Sequence, residues 1–170
     1  MEFFSEEILA GIPDARQFAR IIVRLLAAVI LGAVIGIQRE RIGKPAGLRT
    51  HILVALGTTT AVLACIGFGM NTDGLSRVIQ GIVTGIGFIG AGSILKLSEQ
   101  RDVQGLTTAA GVWMTAAVGV AVGLGALGLA VIGTILTLIV LAFVGRLEFQ
   151  RLKHRESNVE NEKFKMQNAK

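Results

Sequence analysis

The chain has 170 residues, of which 52% are hydrophobic and 17% are charged, and its mean hydropathy is +0.64. The apolar residues form long runs that lack the polar face recurring about every 3.6 residues in soluble helices. Together with the composition, this excludes an ordinary soluble helical domain. The net charge of +5 does not indicate nucleic-acid binding, since the basic residues flank the apolar runs without interleaved aromatic residues.

The first 19 residues are predicted to lie outside the cell membrane, where a short amphipathic turn that ends at Pro13 rests on the membrane surface. No basic residue precedes Arg16, so the segment lacks the basic start of a cleaved signal peptide. We therefore expect the first apolar run to be retained as a membrane span.

Apolar runs predict an all-α integral membrane protein with a bundle of about five helices, because a helix needs roughly 20 apolar residues to cross a bilayer. The longest uncharged run, residues 103–145, would form one helix of roughly 65 Å, about twice the bilayer thickness. We expect it to turn at Gly123, Gly125 and Gly128. The predicted spans are residues 21–37, 51–70, 78–95, 106–123 and 126–145.

The basic residues favour one side of the membrane. With five spans, the loop of residues 38–50, the loop after the third span and the tail share one face and hold most of the Lys and Arg residues. Because positive loops stay in the cytoplasm, we expect the N-terminus outside and the C-terminus inside. The transmembrane domain is predicted over residues 20–147, and the charged tail of residues 148–170 is predicted to be cytoplasmic and partly disordered. Arg24, inside the first span, is expected to snorkel to the outer surface.

The third span is rich in glycine, and small residues at such spacing let another helix backbone approach closely. We expect this span at the centre of the bundle. A bend there, with backbone carbonyls facing a polar cavity, is the alternative. The glycines predicted to pack helices are Gly81, Gly85, Gly87, Gly90 and Gly92.

The first loop supports two interpretations. Its cations could attract anionic lipid, or Arg39, Glu40 and Arg49 could form a polar network with Asp102 of the third loop. Thr50 is expected to cap the second helix, and His51 is expected at the membrane interface. The predicted cytoplasmic-face network comprises Gln38, Arg39, Glu40, Arg49, Thr50, His51 and Asp102.

The fourth span begins with Thr107 and Thr108, whose hydroxyls can bond a neighbouring helix or their own backbone. Trp113 lies about two turns deeper, and it either marks the interface or faces the bundle as a packing or gating residue.

Acidic residues are missing from all five predicted spans, and the sequence contains no phosphate-binding loop, CxxC or Ser-His-Asp pattern. We therefore predict no catalytic residue, no cofactor and no metal site, and magnesium has no intramembrane ligand to support it. A pore that selects through backbone carbonyls needs no acid, so a channel remains an alternative.

Three sequence blocks carry a family resemblance: GIQRERIGKPAGLRTH at residues 36–51, GIGFIGAGSI at 85–94 and VQGLTTAAGVW at 103–113. Together they resemble the N-terminal membrane domain of the MgtC/SapB family over about residues 20–147. Many members continue into a cytoplasmic ACT-like domain, which we expect this chain to lack. Gln38 and Gln104 depart from the Glu and Arg that the family often has there.

The resemblance implies a multi-pass bacterial inner-membrane protein linked to magnesium homeostasis and to membrane energetics, with the F-type ATP synthase or a magnesium transporter as partners. Our leading hypothesis is a non-enzymatic regulator that contacts membrane lipids, itself and other membrane proteins through its glycine-rich helix faces. The alternative is a transporter or channel for an ion or small solute, with a site near residues 85–92 and Thr107.

Overall fold

The computed structural model describes residues 14–96 and 103–143 of the chain. In these residues five helices are joined by short connections, which confirms the predicted all-α architecture. A two-residue antiparallel pairing of β1 (Leu95–Lys96) with β2 (Val103–Gln104) connects the third helix to the fourth. The helices are α1 (Ala15–Arg41), α2 (Leu48–Gly67), α3 (Thr72–Gly92), α4 (Leu106–Gly123) and α5 (Leu127–Phe143).

The first four helices are long and apolar enough to cross a membrane, and α5 is a shorter apolar helix. α1 begins at Ala15, before the predicted start at residue 21, because the Asp14 carboxylate accepts a hydrogen bond from the backbone N–H of Arg16 and caps the helix. The predicted surface turn before residue 14 and the predicted cytoplasmic tail lie outside the described residues.

Glycines terminate three of the helices. α1, α2 and α4 are followed by Gly43, Gly69 and Gly125, whose φ angles of +66°, +65° and +84° are strained for any residue with a side chain. The backbone N–H groups after these ends bond back to carbonyls of the last helical turn. The predicted turn after Gly123 is therefore confirmed.

The most buried helix is α4, with ten buried residues, whereas α3 has only two, Ile86 and Gly90. The prediction that the third span occupies the centre of the bundle is therefore wrong for the described part of the chain. The reason is the distribution of small side chains: α4 presents glycine, alanine and threonine to α1 and α2 as well as to α3, whereas most α3 glycines point away from neighbouring helices.

By its internal contacts the chain divides into two compact units, Met1–Ile135 and Leu136–Lys170, and the described part of the second is the helical stretch of residues 136–143. Two apolar clusters form the core of the first unit. One joins α1, α2, α4 and the start of α5, and the other joins the first loop with α3 and α4. Their buried members are Ala28, Ala55, Val118, Ala121, Val122 and Ala130 in the first, and Ala46, Ile86, Val112 and Ala116 in the second.

Candidate functional site

One side of α4 carries five small or hydroxyl-bearing residues, which we call the α4 stripe: Thr108, Gly111, Thr115, Gly119 and Gly123. Their spacings of three and four place them on one side of the helix. All five are buried. Polar groups inside an apolar bundle need partners, so the contacts of this stripe show how α1 and α2 are fixed against α4.

Two arginines of α1 bind the two ends of the α4 stripe. Arg39 donates from Nη2 to Thr108 Oγ1 at 3.2 Å, and Arg24 donates from Nη1 to the Gly123 carbonyl at 2.8 Å. The arginines are 15 residues apart, and so are their partners, which fixes α1 and α4 as antiparallel neighbours in register. Arg24, which was expected to snorkel to the outer surface, reaches the C-terminal end of α4, and its cation lies at the negative end of the α4 dipole, where it is stabilised.

Two α2 side chains bind the middle of the α4 stripe. His51 Nδ1 lies 2.7 Å from Thr115 Oγ1, and Thr59 donates to the Gly119 carbonyl at 2.8 Å. Thr115 also donates to the carbonyl of Gly111, one turn earlier. His51 is completely buried between the helices, with Thr115 as its hydrogen-bond partner.

Four glycines allow the helix backbones to meet this closely. A Cβ at Gly32 or Gly36 of α1 would come within 2.8 or 2.7 Å of the α2 backbone. A Cβ at Gly119 would overlap Thr58 Oγ1, and one at Gly123 would lie 2.7 Å from Val62 Cβ. The glycine grooves that are filled by this chain's own helices therefore lie on α1 and α4.

Three buried polar atoms lack a hydrogen-bond partner among the described residues: Gln38 Oε1, Arg39 Nε and His51 Nε2. Arg39 is 1% exposed, and within the described ranges it forms no ion pair with a carboxylate. Such groups are costly to bury, so these three atoms are unusual inside an apolar bundle.

The remaining members of the predicted polar network do not converge in the described structure. Glu40 Oε2 accepts a hydrogen bond from the backbone N–H of Leu48 at 2.8 Å and so satisfies the start of α2. The N-cap of α2 is Gly47 rather than Thr50, which is the third helical residue. Arg49 is exposed, and Asp102 lies outside the described residues.

The α3 glycines fall into two groups. Gly90 is buried and packs against Ala109, whose Cβ would lie 3.5 Å from a Cβ at position 90. A Cβ at any of the other predicted packing glycines would meet no atom of the described residues within 4 Å. These open positions are Gly81, Gly85, Gly87 and Gly92.

The polar and aromatic residues of α4 separate in the structure. Thr108 is buried beneath Arg39, whereas Thr107 is exposed. Trp113 is 45% exposed and, with Ile82 and Ile86 of α3, lines an apolar groove of about 150 Å³. Trp113 therefore packs at the α3–α4 boundary rather than inside the bundle.

Sequence reasoning missed Thr59 and Thr115, which bind α2 to α4. The signal available was the spacing of seven between Thr108 and Thr115, which continues to Gly119 and Gly123 at intervals of four and places all four on one helix side. No group of three or more His, Cys, Asp or Glu residues in the described ranges is arranged to hold a metal ion.

Comparison with known proteins gives a consistent result. The MgtC family matches residues 25–150. Protein SrpB of Synechococcus elongatus is 45% identical over 136 residues, covering 74% of this chain and 75% of SrpB. The putative magnesium transporter YhiD of Escherichia coli is 41% identical over 139 residues, covering 78% of this chain and 64% of YhiD.

Protein MgtC of Salmonella typhimurium is 44% identical over 117 residues, which cover 69% of this chain and 49% of that protein. The chain thus spans about half to three quarters of the length of these relatives. No solved structure matches it. With its long apolar helices, this similarity identifies a multi-pass protein of the bacterial inner membrane, and the chain belongs to the MgtC family.

Proposed function

We propose that this protein is a non-enzymatic membrane regulator, linked to magnesium homeostasis and membrane energetics, that binds other membrane proteins through one face of α3. The link to magnesium rests on family membership and on the relatives named MgtC and putative magnesium transporter YhiD. The means of action rests on the glycines of α3.

The supporting observation is an unfilled face on α3, which we define as the open α3 face: Gly81, Gly85, Phe88 and Gly92. Spacings of four, three and four place these residues on one side of the helix. Within residues 14–96 and 103–143, no atom would lie within 4 Å of a Cβ at any of the three glycines, and Phe88 is 86% exposed between them.

Helices associate in lipid mainly by close van der Waals contact, which small residues permit. This chain uses that principle internally, since Gly36 and Gly119 are filled by α2. The open α3 face has the same small-residue spacing with no occupant from the described residues. A transmembrane helix of a partner, or of a second copy of this chain, would pack against the open α3 face as α2 packs against Gly36 and Gly119.

The test is photo-crosslinking in native membranes with a benzophenone amino acid at position 88. We expect an adduct with a membrane subunit of the F-type ATP synthase or with a magnesium transporter, identified by mass spectrometry, alongside an adduct of two copies of this chain. Gly85→Leu should abolish the adducts because its side chain fills the groove.

Gly57→Leu is the matched control, because Gly57 is also an open helical glycine but lies on α2. Gly90 is unsuitable for the test, since a side chain there would press on Ala109 within the chain. Adducts that persist in Gly85→Leu, or that disappear equally in Gly57→Leu, would refute binding through the open α3 face.

A transporter is the second candidate, and the observation in its favour is that buried atoms of Gln38, Arg39 and His51 have no partner in the part of the chain that the structure describes. Buried polar groups within membrane helices often mark an ion or solute pathway. Magnesium flux into liposomes containing only this protein, lost in a His51→Leu variant that still inserts, would support transport over regulation.

A further inference from the structure

Polar and small residues line one exposed side of α3, a helix long enough to cross a membrane. Their spacings of four, three, four and three place them on one side of the helix, and all five are exposed. We define them as the polar α3 stripe: Asp73, Arg77, Gln80, Thr84 and Gly87. The stripe lies about a quarter turn around α3 from the open α3 face, so different helices can occupy the two sides.

The polar α3 stripe reaches the middle of the bilayer. α3 has 21 residues and is therefore about 30 Å long, and Gln80 and Thr84 lie about 12 and 18 Å from its start at Thr72. Neither side chain is long enough to reach the headgroups from there, as a lysine or arginine near a helix end can. Lipid chains offer no hydrogen-bond donor or acceptor, so an exposed amide at this depth is unfavourable unless another polar group covers it.

The composition of α3 is opposite to what exposure to lipid requires. Among the four described helices long enough to cross a membrane, α3 has the smallest buried share and also the lowest mean hydropathy. A helix surrounded mostly by lipid should instead be the most apolar of the four. We infer that the polar side of α3 is covered by something other than lipid.

An exposed threonine on α2 shows why Gln80 differs from an ordinary polar residue in a span. The hydroxyl of Thr60 donates to the carbonyl of Leu56 in its own helix at 2.8 Å, which satisfies its single donor. The Gln80 amide carries two N–H donors and a carbonyl acceptor, so one bond to its own backbone cannot satisfy it. Gln80 therefore needs a partner outside its helix, and amides of this kind form hydrogen bonds between membrane helices.

The chemistry of the polar α3 stripe is self-complementary, which indicates a second copy of this chain as the occupant. Two copies inserted in the same orientation bring equivalent positions together when they pair about a two-fold axis. An amide can both donate to and accept from an identical amide, and a threonine hydroxyl can do the same. At the start of α3, Asp73 and Arg77 have opposite charges one turn apart, so each copy offers a carboxylate to the other's guanidinium.

We propose that two copies of this chain pair in parallel along the polar α3 stripe, with the Gln80 amides and the Thr84 hydroxyls bonded across the contact. Spacings of four and three are those of the seam in a two-stranded coiled coil, in which parallel helices pack along their length. Gly87 allows close approach, since a Cβ there would come within 4 Å of nothing in the described part of the chain. Pairing removes the polar side chains from lipid and leaves the open α3 face of each copy free for another protein.

The test is disulfide crosslinking of the full chain in native membranes, with one cysteine introduced into a Cys65→Ala background. Thr84→Cys places a thiol on the polar α3 stripe and keeps Gln80. The matched control is Val83→Cys, at nearly the same depth but on the side of α3 that lines the apolar groove beside α4. Under mild oxidation by copper phenanthroline, we expect a dimer of this chain for Thr84→Cys and little for Val83→Cys.

A second pair of variants tests the amide itself. Adding Gln80→Leu to Thr84→Cys should lower the initial rate of dimer formation roughly tenfold, because two hydrogen bonds between membrane helices are lost. Adding Thr60→Val should leave the rate unchanged, since that exposed hydroxyl is bonded within α2. Gly87→Cys is a second probe of the stripe in case Thr84→Cys fails to insert.

A dimer of this chain that forms in Thr84→Cys and is weakened by Gln80→Leu supports the pairing. Equal rates for Thr84→Cys and Val83→Cys would indicate random collision, and a disulfide to a different protein would indicate another occupant. Either result overturns the proposal. So does the absence of a dimer from both stripe positions, and labelling of the Thr84→Cys thiol by a membrane-impermeant maleimide would then identify a water-filled cavity beside α3.

Discussion

Replacing Gly119 by alanine tests whether backbone contact between α2 and α4 holds the bundle together. A Cβ at this position would lie 2.6 Å from the Ala55 carbonyl oxygen and 3.1 Å from Ala55 Cα, whereas ordinary contact begins at 3.4 Å. Because both atoms belong to backbone, the helices must separate locally by about 0.8 Å rather than rotate a side chain away.

That separation acts on a neighbouring hydrogen bond. Thr59 donates to the Gly119 carbonyl at 2.8 Å, and an added 0.8 Å or so takes the pair to about 3.6 Å, beyond bonding distance. Overpacking costs about 1–3 kcal/mol and an unsatisfied buried polar group about as much again. We therefore expect Gly119→Ala to lower the free energy of unfolding by about 2–4 kcal/mol, allowing for partial relaxation.

Cys65 provides the assay, because it is the chain's single cysteine and is 6% exposed in the folded protein. Its rate of maleimide labelling in mixed detergent micelles, measured against the fraction of dodecyl sulfate, reports unfolding. Gly119→Ala should shift the midpoint to less dodecyl sulfate, whereas Gly81→Ala, at a position that no described atom approaches within 4 Å, should not. Equal midpoints for the two variants would refute the reasoning.

The arginine and threonine contacts of α4 and the charge bias of the loops give three more predictions. Arg24→Met should destabilise the protein by about 1.5–3 kcal/mol, because the Gly123 carbonyl loses a charged donor, as measured by Cys65 labelling. Thr108→Val should destabilise it by about 1–3 kcal/mol by removing the acceptor of Arg39, while Thr107→Val, at an exposed hydroxyl, should have little effect on the melting temperature. Protease protection of terminal tags in inverted and right-side-out vesicles should place the N-terminus outside and the C-terminus inside.

Each of these has a clear contrary result. An unchanged midpoint in Arg24→Met would show that the hydrogen bond from Arg24 to the Gly123 carbonyl does not stabilise the fold. The melting temperatures of the two threonine variants are followed by the fluorescence of Trp113, the chain's single tryptophan. Equal values would show that the hydrogen bond between Arg39 and Thr108 does not stabilise the protein. Tags on the same side of the membrane would rule out an odd number of crossings.

The candidate site was only partly predictable. Arg39 and Thr108 were both identified from the sequence, but their hydrogen bond across 69 residues was not, since nothing local specifies which helices become neighbours. His51 was identified as a polar residue near a helix start, but the sequence did not show that α4 covers its side chain through Thr115. Residue type and position near a span end indicate polarity, whereas burial depends on which helix packs there.

The sequence by itself determined the five apolar segments, the glycine turn after Gly123 and the family, because helix formation in lipid follows from composition and length alone. The tertiary structure decided which glycines are filled. Gly32 and Gly36 share the same spacing as Gly81 and Gly85, but only the first pair is occupied by α2. The spacing of small residues specifies a groove but not what fills it, because an apolar face can contact either lipid or another helix. Only the packing of the whole helices decides which of the two lies in each groove.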